Sequence, residues 1–193
     1  GNHAGSAHPL REGKGTAWEG GQRVPCVVYY PKGIKGGRTI ETPMMAIDLM
    51  PTIAEITGAE LPKNKIDGKS AWNIWTGQTD QSQHQAFFFY YRTNELHGVR
   101  YKDWKLYFPH TYRTLNGRAG GQDGYQVKYE MNRIQKIELY NLKQDVSESN
   151  NVADQHPNVV EKIKGFANEM RSKLGDKLYN IEGTENRPIG RIN

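Results

Sequence analysis

Between residues 157 and 174 the chain repeats one pattern without interruption, and that pattern constrains the fold more than any other feature. Val159 and Val160, Ile163, Phe166 and Ala167, Met170 and Leu174 recur at three- to four-residue spacing, which puts them on one face of a helix. Glu161, Lys162, Lys164, Glu169, Arg171 and Lys173 fill the opposite face. Pro157 suits the first helical position, where its missing N–H costs nothing, and Gly175 supplies the stop. A stripe of this kind must be covered. The sequence offers a block of short strand-like runs, at 86–91, 96–101, 104–108 and 137–140, the middle two joined as a hairpin around Lys102-Asp103. It therefore predicts a small antiparallel sheet with helix 157–174 packed across one face.

The composition is polar for a globule: 36% of residues are hydrophobic and the mean hydropathy is −0.82. Eleven Tyr, five Phe and four Trp offset this, because each aromatic buries a large surface. No apolar run approaches the roughly 18–20 residues that a membrane span needs. The net charge is +5, with 26 Lys and Arg interleaved among 21 Asp and Glu. Nucleic acid would want a concentrated basic stripe, so it is not an expected partner. A small anion needs only one or two placed cations. Cys26 is the single cysteine, which excludes an internal disulfide and any thiolate-rich metal site. The chain opens at Gly1, with neither a start methionine nor a signal peptide, and reads like the middle of something longer.

Residues 1–25 are small and polar with no sustained period, and loops of that length are usually functional or disordered. Residues 24–30, V-P-C-V-V-Y-Y, read as a strand buried on both faces, with Cys26 shielded inside it. Residues 46–58 read as a helix, with Asp48 as N-cap, Pro51 in the first turn and Gly58 closing it. Asp67-Gly68 is expected to turn, and Ser70 to cap one helical turn carrying Trp72, Ile74 and Trp75. Residues 109–130 lack a period and read as an irregular insertion. The tail from Asn180 is expected to be loosely tethered.

The densest chemistry lies in Gly13-Lys14-Gly15-Thr16-Ala17-Trp18-Glu19-Gly20-Gly21-Gln22-Arg23. A lysine between glycines has space around its stem. Lys14 offers a point charge suited to a sulfuryl or phosphoryl oxygen. Glu19 and Arg23 stand four apart and are expected to pair if locally helical. This is no P-loop, because Lys14 is followed by Gly15 and precedes the strand-like run. Among six histidines, His97 sits where a loop could carry it toward a pocket; His110 has similar status, and His3 and His8 could line a cavity with Lys14. No H-x-x-x-H, carboxylate cluster or G-x-S-x-G elbow appears. The inventory is a possible oxyanion grip with no nucleophile to serve it.

An ordered series of motifs then carries a resemblance. His8 to Pro25, H-P-L-R-E-G-K-G-T-A-W-E-G-G-Q-R-V-P, resembles the L-R-G-G-K-G-T-x-x-E-G-G-x-R-V-P segment of the type I sulfatases, formylglycine-dependent members of the alkaline-phosphatase-like superfamily. Asp48-Leu49-Met50-Pro51-Thr52 is similar to its D-L-x-P-T, and Ile66-Asp67-Gly68 to its I-D-G. Phe88-Phe89-Tyr90 and Val99-Arg100-Tyr101-Lys102-Asp103-Trp104-Lys105-Leu106 are similar to its F-F-Y and V-R-x-x-x-W-K-L. Leu139-Tyr140-Asn141-Leu142 with Asp145 resembles its late L-Y-D-L-x-x-D-P-x-E. The series covers about residues 8–150.

The resemblance implies an α/β fold in which this chain is the C-terminal portion of a larger protein. Residues 1–80 would be the last part of the large α/β domain, and 81–193 a small α+β domain with an antiparallel sheet and a packed C-terminal helix. It implies that Lys14 contacts the sulfate of a sulfate ester, aryl or carbohydrate; His97, from its place in the sequence, is the second expected substrate-side group. It further implies a Ca²⁺ ion and a formylglycine, both supplied by residues outside this chain, with an exported (periplasmic or secreted) or lysosomal parent. The missing N-terminal domain would be the partner, and the isolated chain is expected to be inactive. Two departures stand out. Cys26 is followed by Val27-Val28-Tyr29 and is not the modified cysteine, and Glu12 replaces the usual glycine before G-K-G. A noncatalytic domain binding an anionic sugar or protein is the alternative reading.

Overall fold

The computed structural model describes residues 6–121 and 123–188. The chain has an α/β fold in two compact units, one comprising Gly1–Val24 with Ala86–Asn193 and the other Pro25–Gln85. Ala17 and Trp18 of the Lys14 segment pack with Tyr107, Tyr112 and Tyr140 in the first of these units.

Along the chain run α1 (Glu19–Gln22), α2 (Leu49–Thr57) and α3 (Trp72–Thr76), then strands β1 (Phe87–Tyr91), β2 (Glu95–Tyr101), β3 (Trp104–Tyr107), β4 (His110–Thr114), β5 (Glu130–Ile134) and β6 (Glu138–Asn141). Helix α4 (Pro157–Leu174) follows, and β7 (Gly175–Asp176) and β8 (Ile181–Glu182) close the described chain. The main sheet is antiparallel in the order β1-β2-β3-β6. Helix α4 packs Ile163 and Ala167 against Leu96, Val99, Leu106, Phe108 and Leu139 of this unit, as the stripe requires. Each fully buried Leu, Ile or Val of this core adds about 1.5–3 kcal/mol. The antiparallel sheet and packed C-terminal helix thus form the expected α+β domain.

Strand alternation directs the other side chains to the opposite face of the sheet. Lys105 pairs with Arg100 and Tyr107 with Gly98, so these positions share the face turned away from the helix. The register slips where Phe89 pairs with Gly98 but Tyr90 with Leu96, leaving His97 as the extra residue of a bulge.

Three expectations fail in instructive ways. The region read as an irregular insertion contains a second antiparallel sheet, β4 with β5. The first part of the tail is pinned rather than loose, for β8 pairs with β7 and the Thr184 and Glu185 amides donate to the Ser172 and Lys173 carbonyls. Buried Asp176 accepts from Arg171 Nε at 2.8 Å and from the Leu96 and Leu178 amides, and the Arg171 guanidinium lies over Phe108 and Tyr179. Finally, residues 24–30 form no strand. Val24, Val27 and Tyr29 are 78, 93 and 87% exposed, and Cys26 is exposed rather than shielded. An extended run needs a neighbouring edge for its N–H and C=O groups, and none of the described strands pairs with it.

In the unit Pro25–Gln85, Asp48 does not cap α2 through its side chain. Its carboxylate instead accepts from the Met45 and Lys69 amides, both at 2.9 Å, and pairs with His84 Nε2 at 2.7 Å. Thr52 donates to the Asp48 carbonyl and accepts from the Ala71 amide. The D-L-x-P-T motif therefore staples α2 to the segment around Gly68. No turn forms at Asp67-Gly68; glycine is needed there because a Cβ would collide with the Ile47 carbonyl. The Ser70 hydroxyl accepts from the Trp72 amide at the start of α3.

Candidate functional site

The segment from Arg11 to Arg23 is held from within. Thr16, Ala17, Trp18 and Glu19 are all buried, whereas Lys14 just before them is exposed. Trp18 fills an aromatic box of Tyr107, Tyr112 and Tyr140, with ring centroids 4.2, 5.5 and 5.7 Å away, and the Arg11 guanidinium lies 3.7 Å from its ring centroid. Arg11 also donates to the Glu148 carbonyl at 2.7 Å. Side-chain donors inside the loop brace it: the Thr16 hydroxyl donates to the Gly13 carbonyl, and Gln22 Nε2 to that of Thr16.

A buried charge cluster joins the loop to the sheet. Lys105 Nζ donates to the Ala17 carbonyl and to Glu19 Oε1, both at 2.7 Å, and stands 3.8 Å from Glu148 Oε1. Glu148 accepts from the Glu19 amide at 2.8 Å through its other oxygen, and from the Tyr107 hydroxyl. Arg100 stands 3.6 Å from Glu19 Oε2, so two cations meet two carboxylates. Burial pulls the Lys105 pKa down, opposed by Glu148 and Glu19, and burial pushes that of Glu148 up, opposed by Lys105. The expected Glu19–Arg23 side-chain pair does not form; Glu19 turns inward to Lys105, and Arg23 meets it only through the backbone of α1.

At the rim, Glu12 and Gly15 flank Lys14 with φ of +56° and +97°. Glu12 thus occupies a left-handed position that suits glycine, and its carboxylate accepts from the Thr114 hydroxyl. The Lys14 carbonyl accepts from Arg113 Nη2 at 2.6 Å. The Lys14 ammonium has no hydrogen bond or ion pair among the described residues. His8 is exposed, and His3 lies outside the described residues.

His97 is not brought onto this rim. Its ring is 1% exposed in the β2 bulge, donates from Nε2 to Glu95 Oε2 at 2.9 Å, and stacks on His110 at 3.8 Å. Its Nδ1 has no partner. His110 donates from Nδ1 to the Phe108 carbonyl at 2.7 Å. Burial lowers both pKa values, that of His110 to about 4 with His97 as second cause, so the stacked pair is neutral at pH 7. Unfolding raises the His110 pKa toward 6.5, so the unfolded chain binds more protons below that pH. Stability from this group is complete above about pH 6.5 and is lost as pH falls toward 4. We expect the urea midpoint to drop over that window, and the drop to flatten in His110→Phe; an equally steep drop in the variant would refute the assignment.

The resemblance implies calcium and formylglycine for the complete protein, held by residues outside this chain. No group of three His, Cys, Asp or Glu among the described residues is placed to hold a metal ion. The buried carboxylates are already engaged: Glu19 and Glu148 by Lys105, Asp48 by His84 and Asp176 by Arg171. What the segment offers is an exposed cation, Lys14, on a braced loop, with Arg23 exposed at its far end. Also among the described residues, no helix is long and apolar enough to cross a membrane.

The chain is 37% identical over 121 residues to steryl-sulfatase of Mus musculus, covering 62% of this chain and 19% of that protein. It is 30% identical over 156 residues to arylsulfatase A of Bos taurus, covering 79% of this chain and 30% of that one. A solved structure from Bacteroides thetaiotaomicron, described under metabolism of multiple glycosaminoglycans, aligns with a TM-score of 0.66 and 27% identity, covering 84% of this chain and 32% of its own. The chain thus spans a third or less of the length of these relatives. The family described as N-sulphoglucosamine sulphohydrolase, C-terminal, matches residues 13–177, from the Lys14 loop through α4 to the Asp176 anchor. With its loop, sheet and helix all inside that match, the chain belongs to the sulfatases, in the N-sulphoglucosamine sulphohydrolase C-terminal family.

Proposed function

We propose that this chain supplies the sulfate-contacting lysine, Lys14, of a sulfuric ester hydrolase that acts on aryl or carbohydrate sulfates. The observation that carries the reading is the contrast within one loop. Four consecutive residues after Gly15 are buried and bonded, while the Lys14 ammonium projects unpaired from a braced backbone. A cation without a protein partner is free to meet an external anion, and its attraction grows as charge develops on the sulfate oxygens while the ester bond breaks. The nucleophile, the calcium site and the rest of the pocket would come from the large N-terminal domain of an exported (periplasmic or secreted) or lysosomal parent, to which residues 1–80 also belong. Exposed Val27 and Tyr29 support that view, since such a run suits burial against a neighbouring domain.

His97 has weaker support as a substrate group. With Nε2–H committed to Glu95, its open atom is the Nδ1 lone pair, which accepts hydrogen bonds. Any substrate contact would therefore be with a hydroxyl or amide N–H, not with sulfate oxygen. The test of the whole reading compares the complete polypeptide with the 193 residues alone on a chromogenic aryl sulfate and a sulfated monosaccharide. Turnover of at least one ester by the complete protein, and none by the isolated chain, is the expected result. Turnover by the isolated chain, or by neither on any sulfate ester, would overturn it.

A further inference from the structure

We propose that Arg113 is a positioning residue for Lys14, acting through the Lys14 carbonyl and not on the substrate; this rests on the reading of Lys14 given above. Arg113 sits on β4, in the second sheet that the sequence pattern hid, where it stands opposite Met131 of β5. Its Nη2 donates to the Lys14 carbonyl at 2.6 Å, and its guanidinium lies 4.7 Å from the Tyr129 ring centroid. The Nε has no partner, so the carbonyl and the ring are what orient the group. The next β4 residue, Thr114, holds the Glu12 carboxylate. Two consecutive strand residues thus grip the loop on both sides of Gly13.

The loop needs such a grip. Glu12 and Gly15 both have positive φ, so the chain changes hand twice around Lys14. Fixing the Lys14 carbonyl fixes the plane from which its Cα–Cβ bond leaves, and hence where a flexible stem can place its ammonium. Gly15 completes the fit, because a Cβ there would run into the Arg113 guanidinium. The expected cost of losing Arg113 is therefore misplacement of a charge, to which catalysis is steeply sensitive.

The test uses the complete polypeptide and a chromogenic aryl sulfate, with Lys14→Ala, Arg113→Ala, Arg113→Lys and the Lys14→Ala/Arg113→Ala double variant. Arg113→Ala should lower kcat by about tenfold or more with KM changed less than about threefold. Arg113→Lys should recover part of the loss, since one ammonium can still reach the carbonyl. The double variant should be no slower than Lys14→Ala, because both changes act through one group. Hydrogen exchange at amides 13–16 should speed up in Arg113→Ala while amides 159–172 of α4 keep their rates, which separates a loosened loop from general unfolding. Unchanged kcat or unchanged loop exchange in Arg113→Ala overturns the proposal while leaving Lys14 in place. A loss that multiplies onto that of Lys14→Ala also overturns it, by putting Arg113 on the substrate. Wild-type kinetics for Lys14→Ala overturns the reading of Lys14 itself, and this proposal with it.

Discussion

Replacing Lys105 by methionine is expected to destabilise the chain by about 3–5 kcal/mol at pH 7, the range found when one partner of a buried ion cluster is removed. Methionine keeps most of the aliphatic stem and loses the ammonium, which lies 4.2 Å from the Phe89 ring centroid, so the loss is chiefly electrostatic. It leaves Glu19 with Arg100 alone and Glu148 with no cation, their side chains 3% and 0% exposed, and takes from the Ala17 carbonyl the Lys105 donor, leaving it only the longer bond from the Tyr107 hydroxyl. Glu148, already pushed up by burial, would rise further once the ammonium is gone. A carboxyl with a raised folded pKa binds a proton more readily in the native state, so the deficit should shrink as pH falls toward 5. Urea unfolding at pH 7 and pH 5 checks both statements. A midpoint within error of wild type at pH 7, or a deficit that grows in acid, would refute the role given to this cluster. Because the cluster fastens residues 17–19 to β3, the same variant should also loosen the Lys14 loop.

Much of the α+β domain was legible in the sequence, because its elements are built on local periodicity. The α4 stripe and the apolar runs of β1, β2, β3 and β6 state their own geometry, and their register follows from which face must be buried. What escaped was non-local. Lys105 and Glu19 lie far apart in sequence, so their pairing has no spacing signature, and Glu19 was expected to pair with Arg23. The β4–β5 sheet was hidden because residues 130–133 of β5 are exposed and, Met131 apart, polar, and a long polar connection replaces the usual two-residue turn signal. The run 24–30 misled in the opposite direction. Its apolar character says that the segment suits burial, not that this chain supplies the cover. His97 and His110 looked like loop groups, since nothing in their local sequence announces a bulge or a stacked, neutral pair. Of the candidate site, Lys14 was legible through its glycine neighbours and the motif around it. Arg113, which holds it, was legible only in space.

The central claim is that Lys14 stabilises charge on sulfate, and its most direct test is the kinetics of Lys14→Ala in the complete polypeptide. Interaction that strengthens in the transition state raises kcat and not merely affinity. The loss should therefore appear in kcat as well as kcat/KM, at about 10²-fold or more, as for other single oxyanion donors. Lys14→Arg should recover little, because a wide planar fork does not fit where a compact ammonium stood between Gly13 and Gly15. The fold should be unaffected, since the ammonium has no partner among the described residues. A fall of about two orders of magnitude in kcat, with an unchanged melting midpoint and poor rescue by arginine, is the result this account expects. Near-normal kcat and kcat/KM in a folded Lys14→Ala protein would contradict it.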